Sequence, residues 1–192
     1  MSKSDSDSRK KGKQTKVKWI ITIFFLTIAI SAFISFCSSQ LMASSTMAVA
    51  FVILLIIVLI GIVFDIIGVA VTSADEKPFH SMAARKVIGA HEAINLLRKA
   101  DKVSSICCDV IGDICGVVSG SASAAIVTQI LANFDFSIPQ MISLGMSALV
   151  AGLTVGGKAI GKGFAIGSST AIVHMVGKII WSIGHIFYKK EK

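Results

Sequence analysis

Long apolar stretches separated by short polar segments run through most of this chain. No charged residue occurs from Trp19 to Phe64, and a polar cluster around Gln40 divides that stretch in two. A helix of about 20 apolar residues is long enough to cross the hydrocarbon core of a bilayer. The sequence therefore predicts an all-α integral membrane protein. Its four transmembrane helices are expected at about Trp19–Ser39, Met47–Thr72 and Ser105–Leu131, and from Pro139 to the glycine-rich run at 156–163.

Two further segments are amphipathic and not uniformly apolar. Between residues 73 and 104, apolar residues recur at steps of three and four opposite charged ones, which predicts a cytoplasmic juxtamembrane helix pair. The C-terminal segment also has an apolar face, with Lys178 on its other face. Because a fifth crossing would carry this lysine through lipid, the pattern favours a C-terminal helix that lies at the membrane interface.

The basic residues predict the orientation of the chain. All nineteen Lys and Arg residues fall into three clusters, at 1–18, 77–102 and 158–192. Four crossings place these clusters on one side of the membrane, and basic residues mark the cytoplasmic side. We therefore expect a multi-pass plasma-membrane protein with both termini in the cytoplasm, a disordered basic tail at 1–18 and a basic end at 188–192. A basic tail before an apolar run is also typical of a cleaved signal peptide, so the retention of 19–39 stays open.

Composition narrows the classes of function. Hydrophobic residues make up 54% of the chain and charged residues 16%, which leaves too little polar surface for a soluble globule. The net charge of +8 is explained by anionic lipid at the cytoplasmic face, so we expect the lipid bilayer and not nucleic acid as a partner.

Enzymatic chemistry is not indicated. No pairing of nucleophile and base suggests hydrolysis, and the four cysteines lack metal-ligand spacing. The run Gly156–Lys162 fits the start of a phosphate-binding loop. However, Gly163 stands where such a loop has Ser or Thr, so we expect no cofactor.

Ionisable residues inside the predicted transmembrane helices are the candidate functional residues. They are Asp65, Asp109, Asp113 and Lys158, each within about two to three turns of a cytoplasmic helix end. Gly112 lies on the same stripe of the third helix as its two aspartates. Charges in lipid are costly and mark ion pathways or mutual pairs. Two readings stay open here: an ion pathway, or a structural cluster that holds the helices together.

A set of short motifs links the end of the second predicted helix to the third. They are Phe64, Ala70, Thr72 and Ser73, then Gly89-Ala90, Ala93, Leu96-Leu97 and Asp101-Lys102, and finally Ile111-Gly112. With these motifs, residues 47–187 resemble the transmembrane domain of the CorC and CorB type magnesium and cobalt transporters and the CNNM proteins. The resemblance continues weakly into Gly157–Lys162, and it makes the helix at 19–39 an extra N-terminal one.

The resemblance implies a homodimeric transporter of divalent cations, magnesium or cobalt. In the family, magnesium is held by a Ser-Glu pair, an Asn and a Gly-Glu region, and the matching positions here are Ile67-Gly68, Asp113 and Gly157-Lys158. Two carboxylates are thus missing and a cation replaces one of them. Since magnesium requires oxygen ligands, the candidate metal ligands are Asp109 and Asp113, with Asp65 able to supply oxygens from a shifted position.

The departures from the family pattern leave a second function open. A relative that has lost its ion site would act as a transport-inactive membrane scaffold or regulatory subunit. The cytoplasmic CBS domain pair of the family has no counterpart in these 192 residues. We therefore expect no nucleotide-linked regulation within the chain.

Overall fold

The computed structural model of the protein describes residues 3–43, 46–133 and 138–189. The protein is all-helical, and no strand occurs within these ranges. The all-α prediction is therefore confirmed. The helices are α1 (Lys3–Ala43), α2 (Met47–Ser73), α3 (Lys77–Ala84), α4 (Ala90–Leu97), α5 (Ala100–Ser104), a π-helix (Ser105–Gly112), α6 (Asp113–Asn133), α7 (Pro139–Gly167) and α8 (Ser169–Lys189).

Four helical stretches are long and apolar enough to cross a membrane, as the sequence predicted. They are Trp19–Gln40, Met47–Ser73, Ala100–Asn133 and Pro139–Gly167. The third is one continuous helical rod formed by α5, the π-helix and α6. The backbone of α1 is helical from Lys3, whereas the sequence predicted disorder up to Lys18. The sequence also predicts an outer turn at Asn133–Ser137, between the third and fourth crossings, and this turn falls largely on residues 134–137, outside the described residues.

α2 is the central helix, and it contacts α1, α6, α7 and α8. Its first half packs through Ala50 and Leu54 against Ile126 of α6 and Val150 of α7. We call this end of the bundle the far end. A separate cluster joins α1 to the π-helix and α6 through Val110, Ile114 and Val118, which pack against isoleucines of α1. Because apolar contacts occur on several faces of α2 and α6, these two helices form the centre of the bundle.

The opposite end of the bundle holds the ionisable residues, and we call it the charged end. Here Gly157 and Gly161 of α7 lie against Ile62 and Ile66 of α2. Taken with the contacts at the far end, this makes α7 run parallel to α2, while α6 runs antiparallel to both. The Nζ atom of Lys102 lies 5.1 Å from the centroid of the Trp19 ring. The apolar part of α1 therefore begins near α5, at the charged end.

The segment between the second and third long helices is helical, in three short pieces. α3 begins with Pro78 in its first turn, where the absent N–H has no helical partner to lose. Phe79 is fully buried in a cluster with Val71 of α2 and Val173 of α8. Arg98 donates a hydrogen bond of 3.1 Å to the Oε1 atom of Glu76, which connects the end of α4 to the start of α3.

α8 docks on this segment through an approach that only glycine permits. Gly89 precedes α4 with a φ of +84°, and a Cβ atom on it would lie 2.5 Å from the backbone nitrogen of Lys178. A Cβ on Gly177 would lie 2.5 Å from the carbonyl oxygen of Gly89. The carbonyl of Ile88 also accepts a hydrogen bond of 3.1 Å from Nε2 of His174. The opposite face of α8 stays exposed and apolar, with Met175, Ile179 and Ile183.

Candidate functional site

The ionisable residues of α2, α6 and α7 meet at one point of the charged end. The Nζ atom of Lys158 lies 3.7 Å from Oδ1 of Asp65 and 3.6 Å from Oδ1 of Asp113. One ammonium therefore bridges two carboxylates that come from different helices. With all three groups ionised, the cluster carries a net charge of −1, because two negative charges face a single positive one. We call these three residues the bridged cluster.

Asp65 is the buried member of the bridged cluster. The residue is 5% exposed, and its Oδ2 atom has no hydrogen-bond partner among the described residues. Its backbone carbonyl accepts a weak hydrogen bond from the Cys108 thiol at 3.7 Å. A buried carboxylate oxygen without a partner is costly, since it loses its hydration and gains nothing in return. Among the described residues, it is the buried side-chain oxygen that lacks a hydrogen bond.

Lys158 and Asp113 are more accessible than Asp65. The side chain of Lys158 is 22% exposed and that of Asp113 is 72% exposed. Asp113 stands well inside the stretch Ala100–Asn133, where a carboxylate is expected to face the protein interior or water and not lipid. Exposure within the cluster therefore increases from the buried carboxylate of Asp65 on α2 to the exposed carboxylate of Asp113 on α6.

Glycines bring the three helices close enough for the bridge to form. A Cβ atom on Gly112 would lie 3.3 Å from Nζ of Lys158, so any larger residue would crowd the ammonium. A Cβ on Gly61 would lie 2.8 Å from Cβ of Cys115, and one on Gly68 would clash with Sγ of Cys108. These glycines allow α6 and the π-helix to lie directly against α2.

The π-helix adjoins the bridged cluster. It covers Ser105–Gly112 and ends immediately before Asp113, the first residue of α6. π-helical turns are rare and occur often at functional sites. The sequence shows no signal for this one, because the apolar and polar residues of the segment also fit regular α-helical spacing.

The structure brings four of the predicted site residues together and leaves one apart. Asp65, Asp113 and Lys158 form the bridged cluster, and Gly112 lies against it. Asp109 is exposed, and no salt bridge to it is found among the described residues. Within the described ranges, no group of three or more His, Cys, Asp or Glu side chains is arranged to hold a metal ion.

The sequence places Ser123 on the same stripe of the third helix as Asp109 and Asp113, but it does not single out the hydroxyl groups of Ser119 and Thr154. Ser119 and Ser123 of α6 are buried, and together with Thr154 of α7 they line a cleft between these two helices. The signal was present in the sequence, since hydroxyls at regular spacing in two apolar helices indicate a polar interface. Only the packing of α6 against α7 shows that they share one cleft.

Comparisons of the chain with protein-family models, with curated proteins and with solved structures give no match. The fold defines the class of protein: an all-helical chain with four helices that are long and apolar enough to span a membrane.

Proposed function

We propose that this chain is a membrane transporter of cations and that the bridged cluster is its cation site. The observation that carries the proposal is the buried Oδ2 atom of Asp65, which has no hydrogen-bond partner within the described part of the chain, while Oδ1 of the same group faces Lys158. A cation or a proton at Oδ2 would relieve the cost of that unmet oxygen. The exposed carboxylate of Asp113 supports access to the cluster from water.

In this mechanism, the ammonium group of Lys158 competes with the transported cation for the two carboxylates. An incoming cation gains both carboxylates only when the ammonium moves away from them, because a divalent ion beside Lys158 would leave the cluster with a net positive charge. The long, flexible lysine side chain can make this movement without a change in helix packing. Loading and release would thus be linked to the position of one side chain.

The proposed cargo is a divalent cation, magnesium or cobalt, and the support for it is the resemblance to the CorC, CorB and CNNM transmembrane domain. Carboxylate oxygens are the ligands that magnesium prefers, and this ion usually keeps several of its waters. Two carboxylates with water as the remaining ligands would therefore be a sufficient protein contribution. The same resemblance supports a homodimer.

The proposed setting is the plasma membrane, with both termini in the cytoplasm. The clusters of basic residues support this orientation. Lys102 of the second cluster lies over the ring of Trp19, which follows the first cluster, and Lys158 of the third cluster lies at the same end of the bundle. The segment that contains α3 and α4 would lie on the cytoplasmic side. α8 would lie at the membrane interface, since its exposed face carries Met175, Ile179 and Ile183.

A transport-inactive membrane scaffold or regulatory subunit is the second candidate function. The observation that favours it is the double contact of Lys158, which lies within 4.0 Å of both carboxylates and could serve only to join three helices. Under that reading the ammonium is the permanent occupant of the site.

Flux into proteoliposomes tests the proposal. Purified protein would be reconstituted in vesicles that contain an indicator for magnesium or cobalt, and the indicator signal would be followed after the external ion is added. We expect influx above that of protein-free vesicles, loss of influx in Asp113→Asn, and retained influx in the matched variant Asp109→Asn, which removes the carboxylate that stands apart from Lys158. Absence of influx for both ions in well-inserted wild-type protein would favour the scaffold.

A further inference from the structure

An open cavity with a basic lining lies at the turn between α4 and α5. Its volume is about 350 Å³, and its lining is the run 97–102, which includes Arg98, Lys99, Asp101 and Lys102. Three cationic side chains thus stand around this cavity with one carboxylate. All four charged residues are exposed, so the cavity is accessible from outside the bundle. We call it the basic cavity.

The lysines of the basic cavity are not neutralised by the protein. Within the described part of the chain, no salt bridge to Lys99 or Lys102 is found, although Asp101 lines the same cavity. Arg98 differs, because its Nε atom donates a hydrogen bond of 3.1 Å to Glu76, which uses one of the N–H donors of the guanidinium and holds it in place. Cations that lack a carboxylate partner and surround a cavity point to an anionic ligand.

Two of the long apolar helices begin at the basic cavity. The stretch Ala100–Asn133 starts within its lining. The Nζ atom of Lys102 lies 5.1 Å from the centroid of the Trp19 ring, and Trp19 is the first residue of the stretch Trp19–Gln40. Tryptophan at the end of a membrane span typically lies at the level of the lipid headgroups. In the proposed membrane setting, the anion present at this depth is the phosphate of a lipid.

We propose that the basic cavity binds the phosphate group of an anionic phospholipid. The ammonium groups of Lys99 and Lys102 supply the charge, and the guanidinium of Arg98 supplies directed N–H donors. Free phosphate has the same chemistry, but a lipid also gains from exposed apolar side chains. Ile20 and Phe24 of α1 follow Trp19 in the chain and are 63% and 61% exposed, so they can contact the acyl chains. This inference concerns lipid binding and does not rest on transport.

Quenching of Trp19 fluorescence tests the proposal directly. Trp19 and Trp181 are the two tryptophans of the chain, so Trp181→Phe leaves Trp19 as the single reporter beside Lys102. The full chain with this change would be reconstituted in vesicles in which a share of the lipid carries bromine on its acyl chains. The brominated lipid is either phosphatidylglycerol, which is anionic, or phosphatidylcholine, which is zwitterionic. The ratio of quenching gives the relative binding constant, with each variant compared to itself in unbrominated lipid.

We expect Trp19 to prefer phosphatidylglycerol by roughly fivefold or more, because one lysine near an anionic surface contributes about that factor. Lys99→Gln combined with Lys102→Gln should bring the preference close to equality. Arginine at both positions should keep it, since the charges remain. The matched control is Lys77→Gln combined with Lys162→Gln, which removes the same charge from exposed residues outside the cavity and should also keep the preference.

Two results would overturn the assignment of the site. Equal losses in the glutamine pair and in its control would show that the total surface charge selects the lipid and not the basic cavity. A full preference in the glutamine pair, with unchanged helicity by circular dichroism, would mean that the anionic lipid near Trp19 binds elsewhere. The single change Lys99→Gln leaves Lys102 beside the Trp19 ring, and it should lower the preference partially without altering the reporter's surroundings.

Inorganic phosphate separates a bound lipid from a free anion. Added phosphate should leave the preference for phosphatidylglycerol as it is in chloride of equal ionic strength, because a lipid in the bilayer has a far higher local concentration. Loss of the preference in phosphate but not in chloride would overturn the lipid in favour of free phosphate. The quenching measurement involves no cation flux, so its failure leaves the transport proposal standing, and absence of flux leaves the lipid site standing.

Discussion

Replacement of Lys158 by methionine should be among the most destabilising single changes in the bundle. Methionine keeps most of the length and volume of the lysine stem but removes the ammonium from the bridged cluster. Asp65 then loses its counter-ion while it stays almost fully buried, with a side chain only 7% exposed. Removing one partner of a buried ion pair typically costs about 3–5 kcal/mol, because the remaining charge stays in a poorly solvated site.

The two carboxylates should couple to Lys158 with different strengths. Unit charges about 4 Å apart interact by about 4 kcal/mol at an effective dielectric constant near 20. The Asp65 side chain is buried, so we expect a coupling energy of about 2–3 kcal/mol in the cycle of Asp65→Asn and Lys158→Met. The Asp113 side chain is 72% exposed, so its attraction to Lys158 is screened where water reaches it, and its coupling should be about 1 kcal/mol or less.

Thermal unfolding in detergent, followed by circular dichroism, measures these differences. For a chain of this size, a loss of 3–5 kcal/mol corresponds to a decrease in midpoint of roughly 6–20 °C. The matched control is Lys162→Met, which removes an exposed lysine one turn further along α7 and should leave the midpoint nearly unchanged. The single change Asp65→Asn should cost less than Lys158→Met, because the ammonium keeps Asp113 as a partner.

Additive losses in the Asp65 cycle would refute this reasoning. They would mean that Nζ of Lys158 and Oδ1 of Asp65 do not share one site in the membrane-embedded protein. A stronger coupling to Asp113 than to Asp65 would refute the gradient of burial within the bridged cluster. In that case Asp113 on α6 would be the more buried carboxylate of the cluster.

Three further predictions concern packing and topology. Phe79→Ala should cost about 3–5 kcal/mol in stability, measured by thermal unfolding, because the ring is fully buried between α2 and α8. Gly177→Val should detach α8 and raise its rate of proteolysis, because a Cβ there meets the carbonyl of Gly89 at 2.5 Å; Gly184→Val, with open space around its Cβ, should behave like wild type. In a cysteine-free background, Thr46→Cys should react with an impermeant reagent on intact cells and Ser81→Cys should not; the reverse pattern would contradict the proposed orientation.

The sequence predicts the long helices of this bundle well. Four long apolar stretches bounded by polar or charged residues leave little choice of structure, and the four helices follow them closely. The start of α1 differs from the sequence prediction. Its backbone is helical from Lys3, although the polar residues before Trp19 predicted disorder. The length of an apolar stretch predicts whether a helix can cross the membrane. It does not predict how far the helix continues into the polar residues on either side.

The candidate site was only partly predictable, because it depends on which helices touch. The sequence indicated that Asp65, Asp109, Asp113 and Lys158 lie at similar depth, and depth follows from position along each helix. Rotation about the helix axis does not follow from depth. It places Asp113 against Lys158 and leaves Asp109 exposed without a salt bridge among the described residues. Rotation depends on how closely the helices approach, for example at Gly112, where an added Cβ would crowd Nζ of Lys158, and no pattern along the chain encodes this approach.

The surroundings of Lys158 bear on the choice between the proposed transport function and the scaffold function. A purely structural bridge gains most when every lone pair of both carboxylates has a partner, because unpaired buried oxygens offset the attraction of the charges. Here Oδ2 of Asp65 is left without one among the described residues, and Asp113 stays largely open. Both properties support the proposed transport function over the scaffold. Under that proposal the unpaired oxygen of Asp65 would bind the cation and the exposed carboxylate of Asp113 would receive it from water.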